Sequence, residues 1–235
     1  MEIPNKKVSN INIPAYVFQT WNNKKLPPKM YYIMKQMKQN NPNFRFYLFD
    51  DNDCRKFIKS NFDSNILNTY DRLIPGAYKA DLWRYCVLYI HGGIYMDVKY
   101  YPINNFKLVK LLEEEHWVLD IGGNNIYNAL MVCKAGNEIL LKAIHQIVDN
   151  VKNRFYGKSY LHPTGPGLLA KYFTNEEKKT FKIKHILKSQ NETDKYIFFN
   201  NLPIFRCYPG YTSDRNSFTP KQHYSILWNQ KRIYL

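Results

Sequence analysis

Apolar and polar positions along the chain follow two different periods, and each change of period predicts a new element. Aromatic and β-branched residues over 15–21 and 44–49 predict strands, and a helical pattern over 29–40 lies between them. A helix is expected after Asp50, since Asp and Asn are typical N-cap residues. Strands are expected over 117–121 and 129–133, helices over 137–150 and 167–173, and a strand-like, loop-rich end from residue 196. This alternation predicts an α/β fold with a mostly parallel sheet and flanking helices.

The segment 77–98 combines a helix, a glycine pair and a strand. Leu82, Tyr85, Cys86 and Tyr89 recur at helical spacing, and the glycines at 92 and 93 end the predicted helix at residue 91. A predicted strand over 94–98 follows at once and carries Asp97 near its carboxyl end. In open α/β sheets ligands bind at the carboxyl ends of strands, so Asp97 is a candidate site residue.

The helix before this strand carries a second candidate pair. Asp81 and Arg84 are three residues apart and therefore share one helix face, where they could bind one ligand or each other. Taken alone, the pair is typical of a surface ion pair. Its nearness in sequence to a strand-end carboxylate favours a binding role instead.

Length and charge limit the classes of protein that fit. The 235 residues are enough for one large α/β domain, which we expect to span 1–235. The net charge of +15 attracts anions, whether nucleic acid, anionic lipid or nucleotide phosphates. Lysines and arginines are scattered rather than grouped in a tail, and the aromatic residues lie at core spacing, so a nucleic-acid-binding module is disfavoured.

Cysteine usage and the N-terminus bear on the compartment. The four cysteines, at 54, 86, 133 and 207, lie far apart, which favours buried reduced thiols over structural zinc. The segment 1–10 lacks the apolar stretch of a signal peptide, and no apolar run approaches the ~18 residues of a membrane span. A cytoplasmic protein is therefore expected, with peripheral membrane association left open.

Five segments together resemble glycosyltransferase family 32, the sugar-binding "DXD" transferases that include yeast initiating mannosyltransferases and bacterial and viral capsule enzymes. Most of the chain takes part in the resemblance. The third segment is the most specific, and the others support it by order and spacing. The segments are IPAYVFQTW, NNPNFRFYLFDD, ADLWRYCVLYIHGGIYMD, NALMVCKAGN and TGPGLLAKYF.

The resemblance implies a GT-A fold with a Rossmann-like sheet. It also implies transfer of a sugar from a nucleoside-diphosphate sugar to a hydroxyl of a glycan, glycoprotein or lipid-linked acceptor, with retention of anomeric configuration. A catalytically weakened protein that only binds sugar nucleotides is the alternative.

Site residues follow from the same resemblance. Asp81 and Arg84 match the pair that holds the donor sugar, Asp97 matches the first Asp of the DXD motif, and Trp21 lies where similar enzymes stack the nucleotide base. These three charged residues are the predicted catalytic set. The predicted donor-binding residues are Gln19, Trp21, Gly92, Gly93, Tyr95, Lys99, Asn128, Thr164, Gly165, Gly167 and Trp228.

The chain departs from the motif at one position that matters for a metal. The second Asp, which ordinarily binds the metal, is replaced by Lys99. In a strand, residues 97 and 99 face the same side, so the ammonium would project toward the diphosphate. One positive charge about 4 Å from a phosphate oxygen contributes about 4 kcal/mol at an effective dielectric constant of about 20, half of what a divalent ion gives.

Three expectations therefore stand side by side for the cofactor. Lys99 replaces the metal; or Mn²⁺ or Mg²⁺ binds through Asp97, with His223 as a further candidate ligand; or Lys99 points to solvent and the site is inactive.

Overall fold

The computed structural model describes residues 12–188, 194–218 and 222–235. The N-terminal segment 1–10, which bears on a signal peptide, lies outside these ranges. The strands are β1 Tyr16–Thr20, β2 Arg45–Phe49, β3 Gly93–Met96, β4 Tyr100–Pro102, β5 Val118–Leu119, β6 Leu130–Cys133, β7 Ile183–Leu187, β8 Lys195–Phe199 and β9 Leu202–Cys207. The α-helices are α1 Pro28–Asn40, α2 Asp51–Asn61, α3 Ser64–Arg72, α4 Gly76–His91, α5 Glu138–Lys152, α6 Pro166–Leu169, α7 Asn175–Thr180, α8 Tyr211–Phe218 and α9 Tyr224–Asn229.

The first sheet has the strand order β2-β1-β3-β6. Strand β1 pairs in parallel with both β2 and β3, and only the edge strand β6 runs antiparallel to its neighbour. The prediction of a mostly parallel sheet is confirmed for this part of the chain. Its strands β3 and β6 are buried at every residue, because helices and the second sheet cover both faces.

The second sheet has the order β4-β9-β8-β7-β5 and was not predicted. Its pairs are antiparallel except for β5 with β7. Ile94 and Val132 of the first sheet belong to one buried apolar cluster with Ile183, Ile197 and Phe205 of the second. The two sheets therefore share a core, and the turn from β3 to β4 connects them.

The sequence also missed helices. The C-terminal part was expected to be strand-like and loop-rich, but it contains α8 and α9 after β9. Helix α3, which follows α2, was not predicted as a separate helix. Its N-cap is Asp63, whose side chain accepts hydrogen bonds from the backbone N–H groups of Asn65 and Ile66. Short amphipathic helices carry too few repeats of the apolar pattern to stand out from loops.

Helix α4 reaches β3 through a turn that requires glycine. Gly92 and Gly93 have φ of 64° and 104°, and a Cβ on Gly92 would lie 2.6 Å from the backbone nitrogen of Ala135. Their conformation and close packing explain the pair without a ligand. Both lie at the opposite end of β3 from Asp97, and their donor-binding role stays a prediction that this position does not support.

We expect Gly92→Ala to destabilise the protein more than the matched variant Gly122→Ala. Both glycines have positive φ, which costs about 1–2 kcal/mol for alanine. No heavy atom lies within 4 Å of a Cβ on Gly122, whereas one on Gly92 overlaps backbone, so Gly92→Ala is expected to lose about 1–3 kcal/mol more. Urea denaturation of both variants measures this, and equal losses would contradict it.

Candidate functional site

A cleft of about 770 Å³ opens where the carboxyl ends of β1 and β3 meet the second sheet. Asp81, Arg84, Tyr95, Asp97 and Lys99 all line it. The sequence segment 79–101 therefore contributes four charged residues, Asp81, Arg84, Asp97 and Lys99, to one cavity, as expected for a strand-end site. The cleft is of the size that small-molecule ligands occupy.

Asp81 is buried on α4, with 7% of its surface exposed. Its carboxylate accepts hydrogen bonds from Asn128 Nδ2 at 2.9 Å and from Thr164 Oγ1 at 2.7 Å. Burial raises the pKa of Asp81, and Arg84 and these two hydrogen bonds oppose that rise. A carboxylate can accept about four hydrogen bonds, so acceptor positions are left for hydroxyl groups of a ligand.

Arg84 joins the two carboxylates of the cleft. Its guanidinium lies 3.5 Å from Asp81 Oδ1 and 3.6 Å from Asp97 Oδ1, and it also donates to the backbone oxygen of Asn128 at 2.8 Å. It stacks over the ring of Tyr95, 4.3 Å from the centroid. A guanidinium with this many partners is fixed, so it holds both acidic side chains in place.

Asp97 and Lys99 lie in a turn rather than in a strand. Strand β3 ends at Met96, and the backbone N–H of Tyr100 donates a 3.2 Å hydrogen bond across the turn to the backbone oxygen of Asp97. The prediction that residues 97 and 99 lie in a strand was wrong. Lys99 Nζ lies 2.6 Å from Asp97 Oδ2 and faces the cleft rather than open solvent, and its contact with a diphosphate stays a prediction.

The acidic group of this pair is held ionised by its neighbours. Burial by itself would raise the pKa of Asp97, but the attraction of Lys99 and Arg84 and a 2.7 Å hydrogen bond from the Tyr95 hydroxyl lower it overall. Burial by itself would lower the pKa of Lys99, and the pairing with Asp97 raises it overall. The ion pair is therefore fully charged near pH 7.

The residues present do not fit a divalent ion held as in a DXD motif. One Asp97 oxygen accepts from Tyr95 and the other is bound by the Lys99 ammonium, which lies where the second metal ligand would be. Within the described ranges, no three His, Cys, Asp or Glu side chains are grouped to hold a metal. His223 lines the cleft but caps α9, with Nδ1 2.7 Å from the hydroxyl of Ser225.

Asn128, Thr164 and Gly165, which come from two of the segments that carry the resemblance, surround Asp81. Asn128 also donates to the hydroxyl of Tyr85 at 2.8 Å. A Cβ on Gly165 would lie 3.0 Å from Asp81 Oδ2, so glycine permits the loop to approach the carboxylate. Thr164 is fully buried and acts on Asp81 rather than lining the cleft.

Trp21 lines the cleft but is 7% exposed and packs with Met30, Val98 and Tyr208. Stacking of Trp21 with a base stays a prediction.

Other predicted donor contacts lie away from the cleft. Gln19 is 1% exposed inside β1, and Gly167 packs against His162. Trp228 donates through its indole N–H to the backbone oxygen of Tyr156 at 2.7 Å. None of these three lines the cavity, so the cleft gives no support to their predicted donor contacts.

Five further residues line the cleft and were not predicted from the sequence: Asp120, Tyr127, His185, Tyr211 and Arg215. His185 Nδ1 lies 2.9 Å from Asp120 Oδ1, and the rings of His185 and Tyr127 stack with centroids 3.8 Å apart. The second sheet and α8, neither of which was predicted, carry or adjoin these residues. No short-range pattern links residues 120 and 185.

Comparison with known proteins finds similar sequences for part of the chain. Residues 27–118 match the model of the family described as "Glycosyltransferase sugar-binding region containing DXD motif", in agreement with the predicted resemblance. The chain is 29% identical over 159 residues to "Inositol phosphoceramide mannosyltransferase 3" of Schizosaccharomyces pombe, covering 67% of this chain and 44% of the relative. It is 29% identical over 91 residues to "Initiation-specific alpha-1,6-mannosyltransferase" of Candida albicans, covering 36% and 24%.

The fold has a solved counterpart. The glycosyltransferase PaToxG superposes with a TM-score of 0.52 at 15% identity, over 68% of this chain and 67% of that one. The predicted glycosyltransferase fold is thereby confirmed. The chain spans less than half the length of the curated relatives it matches.

Two further expectations concern thiols and membranes. All four cysteines are buried and free, as expected. Among the described helices, none combines the length and the apolar character that crossing a membrane requires.

We expect Asp97→Asn to lose stability relative to the wild type at neutral pH and to lose less of it in acid. The lowered pKa of Asp97 means that its contribution is present above the usual carboxyl range, near pH 4, and disappears as the pH falls below it. The difference in free energy of unfolding between the two proteins should therefore narrow below about pH 4. Urea denaturation from pH 7 to pH 3 measures it, and a constant difference would contradict the ion pair.

Proposed function

We propose that this chain is a glycosyltransferase that moves a sugar from a nucleoside-diphosphate sugar to a hydroxyl acceptor, a glycan or a lipid-linked molecule, with retention. One observation carries the proposal. A cleft at the carboxyl end of β3 holds the buried carboxylates of Asp81 and Asp97, which Arg84 joins, and Lys99 pairs with Asp97 in the same cleft. The family match and the names of the relatives support it.

Each charged residue has a task in this proposal. Asp81 accepts hydrogen bonds from hydroxyl groups of the donor sugar, because its fixed partners leave acceptor positions. Asp97 orients the sugar or ribose, and Arg84 keeps both carboxylates in position. Fixed charges of this kind stabilise an oxocarbenium-like transition state without reorganising during the reaction.

Lys99 supplies the positive charge at the leaving diphosphate. Its ammonium is bound to Asp97 and is also within 6 Å of the rings of Tyr100, Tyr127 and Tyr211. The aromatic rings confine the cation to the cleft, where its remaining N–H groups can donate to phosphate oxygens. The protein thus uses a lysine where a complete DXD motif would offer a second carboxylate to a metal ion.

Mannose is the first donor sugar to test, since two of the similar proteins are named mannosyltransferases. A thermal-shift screen should compare nucleoside-diphosphate mannose with the corresponding glucose, galactose and N-acetylglucosamine donors. A donor at 100 times its Kd adds about 2.7 kcal/mol of stability, which raises the Tm by roughly 5–10 °C for a chain of this size. No shift with any donor would contradict the proposal.

Asp81→Asn is expected to reduce hydrolysis or transfer of the best donor by about 100-fold or more, which corresponds to the loss of a strong charge-assisted contact in the transition state. The control is Asp71→Asn, because Asp71 pairs with Arg55 on the exposed surface and neither residue lines the cleft. The control should keep wild-type turnover. A wild-type protein that binds donors but never turns them over would instead support a protein that only binds sugar nucleotides.

Lys99→Asp rebuilds the complete DXD motif and tests the lysine directly. We expect wild-type donor binding to resist EDTA, and Lys99→Asp to bind donor only with added Mn²⁺. The comparison variant Lys99→Met should weaken binding by about 10-fold or more with or without Mn²⁺, because it removes a charge-assisted contact and supplies no ligand. Isothermal titration calorimetry separates the three cases, and a wild-type protein that requires Mn²⁺ would refute the substitution of metal by lysine.

A further inference from the structure

A second polar group lines the cleft and has no task in donor binding. It consists of Asp120, Tyr127 and His185, on the second sheet and the turn after β5. The parallel pairing of β5 with β7 sets Leu119 beside Lys184, and continuing this register by one residue brings Asp120 beside His185. The fold therefore builds this contact from a strand pair that spans 65 residues of sequence.

The contact with Asp120 fixes the proton on the imidazole ring. Asp120 Oδ1 also accepts from the backbone N–H of Ile121 at 2.8 Å, which holds the carboxylate in its turn. A carboxylate can only accept, so His185 Nδ1 is the donor of the 2.9 Å hydrogen bond. Burial lowers the pKa of His185, although Asp120 opposes this, so the ring is neutral near pH 7. The lone pair of the neutral ring is then on Nε2.

This Nε2 atom is a buried hydrogen-bond acceptor with no partner in the part of the chain that the structure describes. His185 is 6% exposed and stacked on Tyr127, so the ring cannot turn away without losing both contacts. An unsatisfied buried acceptor costs roughly 1–3 kcal/mol. A ligand in the cleft that donates a hydrogen bond to Nε2 would remove this cost.

The surroundings limit the chemistry of that ligand. A lone pair repels an anion, and the charges of Lys99 and Lys195, which also oppose protonation of His185, repel a cation. A neutral donor group, such as a hydroxyl, is left. Tyr127 connects this place to the donor site, because its ring is stacked on His185 and its centroid is 5.5 Å from Lys99 Nζ.

We propose that His185, oriented by Asp120, binds a hydroxyl group of the glycosyl acceptor. The proposal rests on the proposed function and deepens it, because it places the acceptor beside the lysine that faces the leaving group. A sugar is the class of acceptor that fits, since it presents hydroxyl groups and an apolar face next to aromatic rings such as Tyr127 and Tyr211.

Two histidines allow a matched experiment. His116 is also buried, at 4% exposed, and its Nε2 also lacks a partner among the described residues, but it does not line the cleft. His185→Phe and His116→Phe each keep an aromatic ring and remove both nitrogens. His185→Gln returns an oxygen that can accept a hydrogen bond.

The assay is transfer from the best nucleotide sugar of the thermal-shift screen to methyl α-D-mannopyranoside and methyl α-D-glucopyranoside. For His185→Phe we expect the KM of the preferred glycoside to rise by about 10-fold, the effect of one lost hydrogen bond, with the donor Kd and hydrolysis of the donor by water unchanged. His185→Gln should stay within about threefold of the wild type, since it restores an acceptor. His116→Phe should match the wild type.

Other outcomes overturn the proposal. An unchanged glycoside KM in His185→Phe would mean that Nε2 meets only a bound water, and equal losses in both His→Phe variants would mean a general effect on folding. A change in donor Kd instead of glycoside KM would place His185 in the donor site.

The failure of the proposed function gives a different result. If the wild type turns over no nucleotide sugar, binding of the two methyl glycosides is measured by tryptophan and tyrosine fluorescence. Binding that His185→Phe weakens by about 10-fold supports the hydroxyl site without transfer, and absent or unchanged binding overturns it.

Discussion

Two carboxylates buried in one cleft repel each other and lose hydration, and the fold must compensate for both effects. Arg84 does so for Asp81 and Asp97 together, at 3.5 and 3.6 Å, and Lys99 completes the neutralisation of Asp97 at 2.6 Å. Two negative and two positive charges leave the group neutral. The neighbouring Asn128 and Thr164 are placed by their hydrogen bonds to Asp81, so the loops that carry them are held by the same group.

This dependence explains why the sequence segment 79–101 was informative. Helix α4, the glycine turn and β3 are consecutive, so their order and the spacing of Asp81, Arg84 and Asp97 could be recognised from local pattern. The parallel arrangement of β1, β2 and β3 followed from the alternation of strands and helices. The turn at residues 97–99 was misassigned as strand, because three residues between two short strands give no period of their own.

The other side of the cleft could not be predicted in the same way. Strands β7, β8 and β9 pair across an antiparallel sheet whose members are separated by loops, and β5 contributes two residues to it. His185 alternates with Ile183 on the buried face of β7, a pattern equally typical of a core position. Only the pairing of β5 with β7 brings Asp120 to it, and strand pairing over such distances depends on packing rather than on local sequence.

The turn at residues 97–99 has a consequence for how the two sheets hold together. Asp97 directly follows β3 of the first sheet, and Lys99 directly precedes β4, the edge strand of the second sheet. Their ion pair therefore links the two sheets and also lines the cleft. Because the lysine side chain is covalently part of the protein, this link between the sheets does not depend on a bound ion. Were a metal ion to take its place, the attachment of one sheet to the other would vary with ion binding. The residue at position 99 therefore sets the mechanical coupling of the two halves along with the charge between them.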